Sequence, residues 1–170
     1  MENSINFNVV QLVQFTTVLL TGLLAGLFYG YDCSVTKGLG NLSDIAYLQS
    51  FQSINKAIQN PYFFLSFMGS LLMLPVACWL SYNSRNLVSF YLLLLATLIY
   101  SIGTFGVTIF CNVPLNEQLA NFTIPTSSET EISEMRKAFE KPWNAYHKIR
   151  TVGSIVVFGL TIVSTMKSKL

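Results

Sequence analysis

Three stretches of this chain run without a charged side chain for far longer than an ordinary soluble core helix requires. Val9–Tyr31 covers 23 residues, Pro61–Tyr82 covers 22 and Leu87–Phe110 covers 24. Each exceeds the roughly 20 residues that cross a ~30 Å hydrocarbon core. A fourth apolar run, Thr151–Met166, has only 16 residues between Arg150 and Lys167. A span of the usual length must therefore begin near Trp143, which draws His147 and Arg150 to the membrane boundary or inside it. The pattern predicts spans at about 9–31, 61–82, 87–110 and 143–166 of one integral membrane domain covering 1–170. The expected fold is an all-α, four-transmembrane-helix bundle, because only helices and closed barrels satisfy their own backbone in lipid. The flank MENSINFN has no positive charge and no clean cleavage site follows, so the first run reads as a retained span and not a signal peptide.

The connections alternate in length. SYNSRN is a tight turn that makes spans two and three an antiparallel pair, whereas 32–60 and 111–142 are long and fall on one side. In 44–60, Ile45, Leu48, Phe51, Ile54 and Ile58 recur every three or four residues, the stripe of a short amphipathic helix, with Ser43 as its N-cap. In the second loop, Ser128 and Glu131 have capping-box spacing ahead of Ile132, Met135 and Phe139 on one face. Two short amphipathic helices are thus expected across one end. Pro114 is placed to stop the third span and Pro75 to kink the second. Gly22, Gly26 and Gly30 make two GxxxG steps on the first span, suited to a close helix approach.

Polar residues inside the spans are also patterned. Thr97, Ser101, Thr104, Thr108 and Asn112 share one narrow helix face, and Trp143, His147, Arg150, Ser154, Thr161 and Thr165 share another. Serine and threonine often bond the carbonyl one turn back, which accounts for isolated hydroxyls. Two aligned stripes that end together in Asn, His and Arg suggest faces turned towards protein or a cavity. Tyr29, Tyr31 and Asp32 end the first span on the same side, and Asn55 and Lys56 sit in the amphipathic segment there. One pocket with aromatic walls and a few polar groups is the expected result.

Composition narrows the function classes. The chain is 52% hydrophobic and 11% charged with a net charge of +2, and no basic block argues for nucleic acid. One histidine is too few for a zinc or di-iron site, Asp32, Asp44 and Glu117 complete no ligand motif, and haem on His147 with a methionine would need a coloured protein. No serine or cysteine nucleophile motif is present. Cys33 and Cys111 end their spans on the same side and pair only if that side is oxidising; buried thiols are the commoner state. Asn41 and Asn121 stand in N-x-[ST] sequons. By count, the long-loop side has seven Lys/Arg and the other three, but two of the seven lie in the fourth helix and acids offset the rest. Arg85 in its tight turn, with Lys167 and Lys169, favours both termini on the cytoplasmic side.

NVPLN (112–116) and WNAYHKIRT (143–151), with the span layout, resemble the anthrone oxygenase-like family of small four-span membrane proteins, a group in large part of unknown function. Members with known activity oxidise polyketide anthrones with molecular oxygen and are thought to need no metal or organic cofactor. The resemblance implies a cofactor-independent oxygenase acting on a lipophilic aromatic or phenolic substrate. It carries over His147, Arg150 and Asn112 as catalytic residues and Trp143 and Asn116 as substrate-binding ones. Asn55 and Tyr29 join the substrate-binding set from their place on the pocket side. Histidine suits a base acting near neutral pH, Arg150 and the asparagine amides suit an enolate oxygen, and Trp143 suits a planar ring. Expected partners are a lipophilic small molecule, molecular oxygen and membrane lipid, with a homo-oligomer left open. The competing reading is a non-catalytic tetraspan scaffold or a lipid- or small-molecule-binding subunit, its Trp/His/Arg cluster holding an anionic headgroup.

Overall fold

The computed structural model describes residues 8–167. Residues 1–7 of the N-terminal flank and Lys169, used above, lie outside the described residues. Helices α1 (Val9–Gly40), α3 (Pro61–Asn83), α4 (Leu87–Ala120) and α5 (Glu129–Lys167) are each long and apolar enough to cross a membrane. The shorter α2 (Asp44–Ala57) packs on the last turns of α4 and the first part of α5. The fold is all-α, and no strand occurs among the described residues.

Most helix starts have a local cause. Asn8 and Gln11 bond each other's backbone N–H groups, and Ser128 and Glu131 do the same at the head of α5. Such reciprocal boxes satisfy donors that no helix can satisfy internally. Asn60 accepts from the Phe63 amide ahead of Pro61, which needs no donor at the first helical position. Arg85, at φ 56°, turns the chain between α3 and α4.

α1 packs against α3 and α5, and α4 against the same two helices. Ser89 Oγ donates to the Ser164 carbonyl at 2.9 Å and Asn86 Nδ2 to that of Lys167 at 3.2 Å, so the start of α4 lies beside the end of α5. At the middle level Tyr100 Oη donates to the Phe67 carbonyl at 2.6 Å. Interior hydroxyls meet across helices: Thr21 with Thr161 and Thr104 with Ser154, both at 3.3 Å.

Several expectations change. The capped segment at 128–139 is not a separate helix, because α5 runs unbroken through Pro142. Its apolar residues Ile132, Phe139 and Trp143 pack in one buried cluster with Tyr47, Leu48 and Phe51 of α2. That cluster extends the inward stripe of the fourth span and holds the proline within the helix. Pro114 does not stop α4 either. A wide π-helical stretch, Thr108–Asn112, precedes it, and the proline occupies the first turn of the α-helical piece that follows, where its missing N–H costs little. A further π stretch at Tyr31–Val35 carries α1 past its expected end to Gly40. Of the GxxxG glycines, only Gly22 sits tightly, 2.8 Å (from a Cβ added there) to the Phe158 ring; Gly26 and Gly30 face open space. The close approach of α4 and α5 falls instead at Gly153, against Thr104 and Gly103. The stripes face inward at Thr104, Thr108, Asn112, His147, Arg150, Ser154 and Thr161, but Thr165 is exposed and bonds back to Thr161, and Thr97 and Ser101 are half-buried. Cys33 and Cys111 are unpaired.

Candidate functional site

Where α2 crosses the helix ends, the packing leaves a cavity of about 630 Å³, within the range of small-molecule sites. Its walls come from α1 (Phe28, Tyr31), α2 (Gln52, Asn55), α3 (Phe63, Phe67), α4 (Thr108, Asn116) and α5 (Trp143, His147, Arg150). α2 is pinned over it by Gln52, whose amide donates to the carbonyls of Leu119 and Phe122 at 2.8 and 3.0 Å. A second pin is Arg136, which bonds Asp44, Glu140 and the carbonyls of Gly40 and Leu42.

The floor is an aromatic stack. The Trp143 and His147 rings lie 5.0 Å apart and 19° from parallel. Phe51 meets Trp143 edge-on at 4.7 Å, and Tyr31 meets His147 edge-on at 5.2 Å. Edge-on and offset pairs are the favoured geometries of aromatic quadrupoles, each contributing about 0.5–1.5 kcal/mol beyond burial. Arg150 lies between two ring faces, its Cζ 4.5 Å from the Phe28 centroid and 5.0 Å from that of Trp143. These contacts offset part of the cost of a guanidinium only 7% exposed. No carboxylate pairs with it; among the described residues the ion pairs are those of Arg136 with Asp44 and Glu140.

Hydrogen bonds set the state of the histidine. Arg150 Nε donates to His147 Nδ1 at 3.0 Å, so Nδ1 is the unprotonated nitrogen. Nε2 then carries the proton and donates to the Phe28 carbonyl at 3.2 Å. The ring is neutral, fixed at both ends, and its lone pair points at the guanidinium. Arg150 Nη1 reaches Thr108 Oγ1 at 3.5 Å.

The two sequence elements interlock. Asn116 Oδ1 accepts from the Trp143 indole at 2.7 Å, and Asn112 Nδ2 donates to the Trp143 carbonyl at 3.2 Å. The structure therefore brings His147, Arg150, Trp143, Asn116 and Asn55 to the cavity. It does not bring Asn112 there: that side chain is fully buried behind the wall, holding Trp143. Tyr29 is 58% exposed and outside the cavity, and Tyr31 stands in the wall instead. The signal for Tyr31 was present, since Thr17, Thr21, Leu24, Phe28 and Tyr31 follow the three-or-four spacing of the buried face. Phe28 is a wall residue of the same kind and Phe51 packs behind the wall against Trp143; no motif marks either. Among the described residues, no three His, Cys, Asp or Glu side chains gather as metal ligands would.

Fold and site together define a class: a helical protein with four helices long and apolar enough to cross a membrane and an aromatic-walled cavity facing a buried His–Arg pair. The family model for anthrone oxygenase matches residues 63–160, more than half of the chain, and the chain belongs to that family. The match contains Asn112, Asn116, Trp143, His147 and Arg150. No curated protein and no solved structure matches.

Proposed function

We propose that the protein is a membrane-embedded oxygenase that uses molecular oxygen, without metal or organic cofactor, on a lipophilic phenolic substrate with an acidic C–H. The observation that supports this reading most is the buried Arg150 guanidinium, without a carboxylate partner among the described residues, hydrogen-bonded to His147 at the wall of an aromatic cavity. An enolate or phenolate oxygen is the partner such a cation lacks, and a planar ring fits the aromatic walls.

The chemistry follows from the hydrogen-bond order. When the substrate oxygen takes the guanidinium, Arg150 releases His147 Nδ1, whose lone pair becomes free to accept the C–H proton. Arg150 then faces the oxygen on which the negative charge develops. The carbanion transfers an electron to oxygen, the carbon–oxygen bond closes to a peroxide, and loss of water leaves a carbonyl. In total, one CH2 and one O2 give one C=O and one H2O. Asn112 acts through Trp143, and Asn116 orients the indole at the wall.

The test is oxygen uptake with anthrone by the purified protein in lipid nanodiscs. His147→Gln, which keeps a hydrogen-bonding side chain of similar size, should lower the rate by about 10²–10⁴, the usual range for loss of a general base. An unchanged rate in a folded His147→Gln protein removes the catalytic reading. Binding without any uptake by the wild type leaves a small-molecule-binding protein.

A further inference from the structure

The cavity wall carries further polar side chains besides the His147–Arg150 pair. Tyr31 Oη and Asn55 Nδ2 are both fully buried and have no hydrogen-bond partner, and both residues line the cavity. Unpaired buried donors of this kind destabilise the fold unless something meets them. Their places are fixed: the Tyr31 ring is held edge-on by His147 at 5.2 Å and by Phe51 at 6.3 Å. Asn55 lies one turn after Phe51 on the same face of α2, and Gln52 anchors that helix. Tyr31 and Asn55 belong to α1 and α2, outside the stretch that matches the family, whereas the His–Arg pair lies inside it.

We infer that Tyr31 and Asn55 are specificity-determining residues that hold a second oxygen of the substrate, a neutral carbonyl or hydroxyl on an outer ring, distinct from the oxygen that Arg150 takes. This rests on the site reading above, and it adds what the substrate must carry. Asn55 Nδ2 can only donate and the tyrosine hydroxyl can donate or accept, so together they suit a hydroxyl or carbonyl oxygen and discriminate against a bare aromatic edge. The linked reaction is unchanged: this oxygen is a handle and takes no part in bond making.

Two probes separate the two oxygens: anthrone, whose single oxygen is the central carbonyl, and 2-hydroxyanthrone, which adds one oxygen on an outer ring. Binding is read by quenching of Trp143 fluorescence in a Trp79→Phe protein held anaerobically in nanodiscs, so no turnover is needed. The wild-type cavity should bind 2-hydroxyanthrone about five- to tenfold more tightly than anthrone, the effect of one good buried hydrogen bond. In Tyr31→Phe and in Asn55→Leu the ratio of the two Kd values should fall to about one. A merely structural role would weaken both probes together and keep the ratio. A wild-type ratio of one, a ratio that survives both substitutions, or no saturable quenching by either probe overturns the inference. Oxygen uptake is scored separately: a protein that shows the expected ratios but consumes no oxygen keeps this inference and loses the catalytic reading.

Discussion

A guanidinium between two ring faces, with its Nε committed to a histidine, differs from one that snorkels to a headgroup. Snorkelling needs only a long stem and a charge, so Arg150→Lys would be nearly silent for an anchor. Arg150 instead uses its shape, because a flat cation lies over Phe28 and Trp143 while its Nε faces His147 Nδ1. An ammonium is a point charge and cannot fill both roles. Arg150→Lys is expected to lower oxygen uptake at least tenfold with the helix content by circular dichroism unchanged; near-wild-type uptake would restore the anchor reading. Asn116 tests the support behind it. Asn116→Leu deletes the 2.7 Å bond to the Trp143 indole and strands a half-enclosed donor, at about 1–2 kcal/mol. The expected signature is a shifted Trp143 emission maximum and a lower thermal midpoint, and an unmoved spectrum would show that the bond does not hold the ring.

At the scale of elements, the four spans and α2 were legible because long apolar runs and a three-or-four stripe act over many residues at once. Helix ends were not. Pro114 and Pro142 are both ordinary stop signals, yet a π stretch before one and a continuous packed face across the other let the helix continue. Nothing in local propensity encodes either rescue, since each depends on partners distant in sequence. GxxxG spacing misled for the same reason: it marks where a helix could be approached, and only Gly22 of the three is. The site was legible through its two motifs and less so elsewhere, because Asn112 faces inward but is taken up by the Trp143 backbone, and Tyr29 points outward. A paired substitution measures the difference between pattern and packing. A Cβ at Gly153 would lie 3.2 Å from Thr104 Oγ1 and 3.7 Å from the Gly103 backbone, whereas one at Gly26 meets nothing. Gly153→Val should cost about 1–3 kcal/mol by overpacking and lower the midpoint of heat-induced loss of the monodisperse protein, and Gly26→Val should leave it near wild type. Equal effects would mean that helix propensity, and not the α4–α5 contact, controls stability.

The whole molecule turns apolar side chains outward as well as into its core. Leu12, Phe15, Leu19 and Leu23 of α1, Leu65 and Leu72 of α3, and Leu95, Leu98 and Ile102 of α4 point outward. Thr17, Thr21, Thr104, Ser154 and Thr161 are buried, their hydroxyls bonded across or along helices. That is the order lipid demands, with apolar groups towards the chains and polar groups satisfied within. Antiparallel packing then puts the Arg85 turn and the end of α5 at one end, and the α1–α2 and α4–α5 connections with the cavity at the other. The charges make the sidedness a prediction. Arg85 and Lys167 stand without acidic neighbours in sequence, while on the cavity end Arg136 is bound to Asp44 and Glu140 and acids are interspersed among the lysines; on that offset, and against the plain Lys/Arg count, the turn end is predicted to be cytoplasmic. Single cysteines placed by Ser84→Cys, Lys167→Cys, Leu42→Cys and Thr126→Cys, in a protein with Cys33, Cys78 and Cys111 replaced by serine, should separate into two pairs. The first two should react with a membrane-impermeant maleimide from the cytoplasmic face, and the last two from the opposite face. A reversed pattern would keep the four spans and overturn the charge argument, and any split within a pair would mean that one of the four helices does not cross.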